Sequence, residues 1–105
     1  MNTNFPGIGH KYLVDFGAFR VQLSFTSLTS LTYYNVAADG SIQGSETVII
    51  KIEWIVDQIF LVTWQEADKT TVVHIEDYDR QTIVTNITNP NLTFDQFHGT
   101  FVLLS

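Results

Sequence analysis

The residues from 57 to 78, DQIFLVTWQEADKTTVVHIEDY, constrain the fold more than any other part of the chain. β-Branched and aromatic side chains crowd both arms of this stretch, and a short polar connector at residues 67–69 separates them. Such arms favour strands over a helix, so we predict a β-hairpin. Side chains alternate along a strand, which gives the first arm two faces. One face carries Phe60, Val62, Trp64 and Glu66, and the other carries Ile59, Leu61, Thr63 and Gln65. Both faces are apolar, which is typical of a wall between a cavity and a second buried surface.

The rest of the chain repeats short strand patterns separated by turns. Period-two alternation is clearest at residues 18–26, where four apolar side chains alternate with polar ones. We predict strands at residues 10–16, 18–26, 28–36, 47–54, in the two arms of the hairpin, at 81–88 and at 98–104. Residues 94–97 are predicted to form a short turn or helical piece. Gly44 is predicted to mark a bulge or bend near the start of the fourth strand.

Eight short strands joined by hairpins favour a closed, antiparallel, up-and-down barrel, because closure removes the exposed edges of an open sheet. A β-sandwich is the alternative. At 105 residues the chain fits a single domain, residues 1–105, and its 45% apolar content supports a packed core. We therefore predict one all-β domain.

Charge and composition exclude several classes of function. A formal net charge of −6 would repel a phosphate backbone or an anionic membrane, so neither nucleic acid nor membrane is an expected partner. The chain has no cysteine, and its three histidines show no short ligand spacing, so no metal is expected, although a site assembled across strands stays open. No dinucleotide or phosphate-loop signature is present, and no cofactor is expected. The N-terminal stretch lacks a basic and an apolar region, which predicts a cytoplasmic location.

Several stretches together are similar to the MoaF family of small lipocalin-like calycin barrels. They are residues 17–25 with Tyr33, the turn at 40–44, LVTWQE at 61–66, residues 70–77, and His-Gly-Thr at 98–100. This resemblance covers most of the chain and implies a lipocalin-like barrel.

The chain also resembles, more distantly, the bacterial phenolic acid decarboxylases, which are calycin barrels that act without a cofactor. Their Trp-x-Glu is retained as Trp64-Gln65-Glu66, and the resemblance implies that Glu66 is a general acid inside the barrel. Their Tyr-x-Tyr pair is matched by Tyr12 and Val14, and their arginine after a glycine turn is absent, since Ser45 follows Gly44. These differences remove two parts of a carboxylate grip and count against decarboxylation itself.

An eight-stranded barrel has room inside for packed side chains or one small ligand. If Glu66 faces this interior, a subset of Val72, His74 and Glu76 on the second arm faces it too. A buried carboxylate beside an imidazole is a workable acid/base pair, because apolar surroundings raise the pKa of the carboxylate. The competing explanation is that these carboxylates are solvated strand ends. We take Glu66 as the candidate catalytic residue. The candidate ligand-binding residues are Tyr12, Tyr34, Phe60, Val62, Trp64 and His74.

Three functions follow from this set. The first is a binding site for an aromatic or planar apolar small molecule, since such pockets are mostly apolar with a few orienting polar groups. The second is a cofactor-independent acid/base enzyme of lyase or cyclase type acting on such a ligand. The third is a structural or interaction module with a filled core.

The outer face of the fifth strand predicts a homodimer. If Phe60 and its neighbours point inward, Ile59 and Leu61 point out, and the fourth strand adds either Ile49 or the row Val48, Ile50, Ile52 and Trp54 to the surface. Adjoining apolar residues of this kind would form one patch, and a self-complementary patch usually closes as a two-fold dimer.

Overall fold

The computed structural model describes residues 4–105, which form eight β-strands. They are β1 (Lys11–Asp15), β2 (Arg20–Ser27), β3 (Ser30–Val36), β4 (Ile42–Val56), β5 (Ile59–Gln65), β6 (Thr71–Asp77), β7 (Thr82–Thr88) and β8 (Phe94–Leu103). Each strand pairs antiparallel with the next, and β1 pairs with β8, so the sheet closes. The predicted eight-stranded up-and-down barrel is confirmed. In the described part of the chain, no helix is long and apolar enough to cross a membrane.

Alternating side chains assign the inner and outer faces of the strands. In β2, Val21, Leu23 and Phe25 are buried, while the polar residues between them are only partly covered. In β5, Phe60 and Val62 are fully buried, and Leu61 between them is not. The inner faces predicted for both strands are confirmed.

The register between β4 and β5 decides which face of β4 is internal. Ile50 pairs with Trp64, and Ile52 pairs with Val62. Directly opposite residues share a face of the sheet, so the row that begins at Val48 points inward. Ile49 then points outward and is 82% exposed.

Two predicted element boundaries differ from the structure. Residues 94–97 belong to β8 and pair with β7, so the prediction of a turn or helical piece there was wrong. The turn lies just before them, where Asn89 N donates to the Thr93 carbonyl and Leu92 adopts a φ of 70°. β4 also extends beyond the predicted residues 47–54 at both ends. Its register against β3 shifts next to Gly44, as expected for a bulge.

A cluster of aromatic rings closes one end of the barrel. Phe5, which precedes β1, places its ring 4.9 Å from that of Phe25, 5.2 Å from Phe60 and 5.3 Å from Tyr78. The pairs meet edge to face, the geometry that aromatic quadrupoles favour. Tyr12 joins the cluster through Tyr78, with ring centroids 5.7 Å apart. This end, the base of the barrel, is therefore filled.

The outer face of β5 adjoins an apolar strip on β6 and β7. Leu61 pairs with Ile75, and Ile75 pairs with Val84. On the other side, the β4 partner of Leu61 is Glu53, and Ile49 lies further back along β4 beyond Lys51. The predicted patch therefore continues toward β7 and does not merge with Ile49. The homodimer itself stays a prediction.

We expect Gly99→Ala to lower the free energy of unfolding by about 1–3 kcal/mol, as overpacking does. A Cβ at Gly99 would overlap the Asp15 carbonyl oxygen and lie 2.8 Å from Cδ1 of Phe16, so the seam between β1 and β8 would have to move. Gly44→Ala is the matched control, because no atom lies within 4 Å of its added Cβ. Urea unfolding measures both, and equal midpoints for the two variants would contradict the close approach.

We expect the parent protein to sediment as a dimer at micromolar concentration and Leu61→Arg to sediment as a folded monomer. A charged side chain at the centre of the outer strip cannot be desolvated without a partner. Ile49→Arg is the control, since it places the same charge outside the strip. A monomeric parent in analytical ultracentrifugation would contradict the dimer.

Candidate functional site

A cavity of about 400 Å³ opens at the end of the barrel opposite the aromatic cluster. Its apolar walls come from β2, β6 and β7 and from the residue before β2. They are Phe19, Val21, Leu23, Val72 and Ile87. Its polar lining comes from strand ends and turns at the mouth and from two inward residues deeper in the barrel. They are Asn35, Glu66, Asp68, Thr70 and Asn89 at the mouth and His74 and Thr85 below.

The structure brings three of the predicted site residues together and separates the others. Trp64, Glu66 and His74 all line the cavity. Tyr12, Phe60 and Val62 also point inward, but they are buried in the packed core at or near the filled end. These three form part of the support beneath the cavity.

Tyr34 lies on the outer face of the barrel, away from the cavity. It pairs with Gln22 and Ser45, and the Nζ atom of Lys11 lies 5.1 Å from the centre of its ring. Neighbouring residues on a strand point to opposite faces, and the inward tyrosine is Tyr33, which lines the cavity. The sequence shows that the two tyrosines diverge but not which one faces in. Tyr33 therefore replaces Tyr34 among the candidate site residues.

Two glutamates and two aromatic side chains form a hydrogen-bonded group at the mouth. The Tyr33 hydroxyl donates to Glu46 Oε1 at 2.8 Å, and Trp64 Nε1 donates to Glu66 Oε2 at 3.2 Å. Glu46 is fixed in turn by the backbone N–H of Ala67, which donates to Oε2 at 2.8 Å. The Trp64 and Tyr33 rings lie close to parallel, at 24° and 6.3 Å between centroids. The group forms one flat, hydrogen-bonded side of the mouth.

Burial raises the pKa of Glu66, and the nearby carboxylates of Glu46 and Asp68 raise it further. Hydrogen bonds from Trp64 and Tyr33 oppose this shift by stabilising the charged form. Burial also raises the pKa of Tyr33, so this phenol stays protonated and remains a donor. Glu66 is therefore the acidic group in the cavity whose protonation is most sensitive to what covers it.

A buried polar ladder runs down β6 from the cavity to the base. His74 Nδ1 lies 3.0 Å from Glu76 Oε2, and the Tyr78 hydroxyl donates to Glu76 Oε1 at 2.6 Å. His74 and Glu76 are 3% and 1% exposed, so the contact is shielded from bulk water. Burial, followed by the Glu76 charge, raises the pKa of both Tyr78 and Tyr12. Sequence reasoning missed Tyr78, although His-x-Glu-x-Tyr at period two places all three side chains on one face of a strand.

Thr85 is the second functional residue that the sequence did not reveal. It is 1% exposed, lines the cavity and is the register partner of His74. Within residues 4–105 its Oγ1 has no hydrogen-bond partner. An unpaired buried hydroxyl is uncommon in folded proteins and marks a place where a polar partner is accommodated.

The other two histidines lie apart from the cavity. His10 and His98 are both exposed, and His10 Nδ1 lies 3.1 Å from the Ser105 carbonyl oxygen. Among the described residues, no group of three His, Cys, Asp or Glu side chains is placed to hold a metal ion.

The fold and this cavity can be compared with known proteins. The crystal structure of "a putative beta-lactamase from Burkholderia vietnamiensis" is similar, with a TM-score of 0.88 and 21% sequence identity over 98% of this chain and 100% of that chain. At this identity the likeness shows the fold alone. No curated protein sequence gives a significant match. The sequence pattern of the MoaF-like family matches residues 8–102, nearly the whole barrel, and the chain therefore belongs to the MoaF-like family.

Proposed function

We propose that this protein binds a small, planar, apolar or aromatic molecule in the cavity of its barrel. The observation that carries the proposal is the cavity itself, since its volume of about 400 Å³ lies in the range of small-molecule sites. A structural module with a filled core, the third possibility from the sequence, would leave no such space. The cavity therefore favours a binding function.

The walls of the cavity support an apolar and planar ligand. Val21, Leu23 and Val72 are buried side chains without polar atoms, and they cover the sides. The near-parallel rings of Trp64 and Tyr33 provide a flat surface on which a planar molecule can stack. A few polar groups at the two ends would then fix the orientation of the ligand.

The charges at the mouth support a ligand without negative charge. Glu66 and Asp68 line the cavity, Glu46 lies beside Glu66, and no lysine or arginine lines it in the described part of the chain. Arg20 lies elsewhere and donates to the Ala37 carbonyl at 2.9 Å. Like charges would disfavour the entry of a carboxylate or phosphate. The proposed ligand is therefore neutral or cationic.

A cofactor-independent acid/base enzyme of lyase or cyclase type is the second candidate function. What favours it is that two ionisable groups converge on the cavity: Glu66 at the mouth, and His74 on its floor, held by Glu76. Convergent acid/base groups are what such a reaction needs. The beta-lactamase named for the Burkholderia vietnamiensis protein is not proposed for this chain. The cytoplasmic location stays a prediction from the sequence.

We expect Ile87→Trp to weaken binding of prodan, a neutral planar naphthalene dye, by about tenfold or more. Ile87 lines the cavity and is only partly buried, so a larger ring there would occupy the ligand volume without overfilling the packed base. Val84→Trp is the matched control, because it adds the same ring to the outer face of the same strand. Isothermal titration calorimetry measures both. No binding of prodan to the parent, or equal affinity in the two variants, would contradict a binding site in the cavity.

We expect the affinity for prodan to rise as the pH falls through the raised pKa of Glu66, above the ordinary value of 4.5. A neutral ligand that covers Glu66 excludes water and favours the protonated form, so protonation strengthens binding. Glu66→Gln should remove this pH dependence and hold the affinity near its low-pH level. Glu53→Gln, an exposed carboxamide on the outer face, should leave the parental profile unchanged. A Glu66→Gln profile that matches the parent would count against Glu66 in the site and against the acid/base function.

A further inference from the structure

The ladder on β6 fixes which ring nitrogen of His74 carries the proton. Both oxygens of Glu76 act as acceptors, Oε1 toward the Tyr78 hydroxyl and Oε2 toward His74 Nδ1. Nδ1 is therefore the protonated nitrogen, and a neutral imidazole has an acceptor at its other nitrogen. Nε2 then carries a free lone pair.

This lone pair is available to the cavity. In residues 4–105, Nε2 of His74 makes no hydrogen bond, and the ring lies against Trp64, with centroids 4.7 Å apart at 75°. That contact holds the imidazole edge-on to the indole and limits its rotation. A fixed acceptor therefore stands on the floor of an otherwise apolar chamber.

Thr85 places a donor beside this acceptor. His74 and Thr85 are direct register partners on β6 and β7, and the Cβ atoms of such pairs lie about 4.5–5.5 Å apart. The Thr85 hydroxyl has no acceptor among the described residues, so its proton is free to be donated. A buried hydroxyl without a partner costs free energy that a ligand acceptor would offset.

We infer that His74 Nε2 and Thr85 Oγ1 together form a recognition site for a ligand edge that presents an N–H next to a C=O, as in a lactam or a cis-amide. The ligand N–H donates to Nε2, and the ligand carbonyl accepts from the Thr85 hydroxyl. This inference rests on the proposed binding function and deepens it by naming the polar group of the planar ligand. Glu76 and Tyr78 act as positioning residues, because they hold the imidazole in the accepting tautomer without touching the ligand.

Three planar probes test the inference by calorimetry. 2-Quinolinone offers the adjacent N–H and C=O, 1-methyl-2-quinolinone lacks the N–H, and 3-methyl-2-quinolinone keeps it at equal size. We expect the first and third to bind the parent about tenfold more tightly than the second, the change that corresponds to one lost hydrogen bond to an otherwise unpaired group. Equal affinity for all three probes would overturn the inference and leave the proposed function standing.

Thr85→Val tests the donor. Valine has the shape of threonine without its hydroxyl, and because that hydroxyl has no partner within residues 4–105, the variant is expected to melt no lower than the parent. Its affinity for 2-quinolinone should fall about tenfold. Thr82→Val, on the exposed side of β7, is the matched control and should bind as the parent does. An unchanged affinity in Thr85→Val would overturn the role of Thr85.

The tautomer of His74 gives a readout independent of affinity. Long-range ¹H–¹⁵N NMR of the free protein should show Nδ1 protonated and Nε2 unprotonated, and 2-quinolinone should shift the Nε2 resonance more than the 1-methyl probe does. A proton on Nε2 in the free protein would overturn the assignment. If prodan binds and no quinolinone does, the inference alone fails. If none of the four probes binds, the proposed function fails with it.

Discussion

The closed ladder of backbone hydrogen bonds is the constraint on which the rest of this structure depends. β1 pairs with β8 from Tyr12 to Asp15, so no strand of the barrel is left with an unpaired edge. Closure also forces each strand to give one face to the interior and the other to the outside. That single rule places Tyr33 beside the cavity and Tyr34 on the surface, although the two residues are adjacent in the chain.

Side-chain size along the barrel axis then decides where the cavity lies. At one end, Phe5, Phe25, Phe60 and Tyr78 meet edge to face and fill the cross-section. At the other end, the inward positions of β6 and β7 hold the smaller Val72 and Thr85. Close packing at the base and smaller side chains at the mouth leave a chamber that opens in one direction.

The polar ladder on β6 links these two ends. His74, Glu76 and Tyr78 occupy alternate positions, so strand geometry points all three inward, and each is hydrogen-bonded to its neighbour. A fully paired buried network is rigid, whereas an unpaired member is costly. The ladder is paired at its lower end through Tyr78, and at its upper end it presents one ring nitrogen next to Thr85. The lower part of the barrel thus holds in place the chemistry available to the upper part.

Local patterns in the sequence were sufficient for the fold and for part of the site. Alternation in β2 and β5 identified the buried rows, and the even spacing of strands and turns indicated a closed barrel, because both depend on neighbours along one chain. The same alternation placed Trp64 and Glu66 on one face, and both line the cavity. Residues 94–97 were misjudged because their strand character comes from pairing with β7, which is not a local property.

Relations between strands could be settled only by the tertiary structure. The sequence of β4 is apolar on both faces around Ile49, so only its register against β5 shows that Ile50 is inside. Glu76 appears in the sequence as a strand-end carboxylate, yet the barrel buries it between His74 and Tyr78. Thr85 has no local signal at all, since its role comes from lying opposite His74 on another strand. The sequence by itself determined which residues can share a strand face, because that follows from backbone geometry. Only the closed barrel decided which faces meet across the interior, because that depends on strand register and on the distances between side chains far apart in the chain.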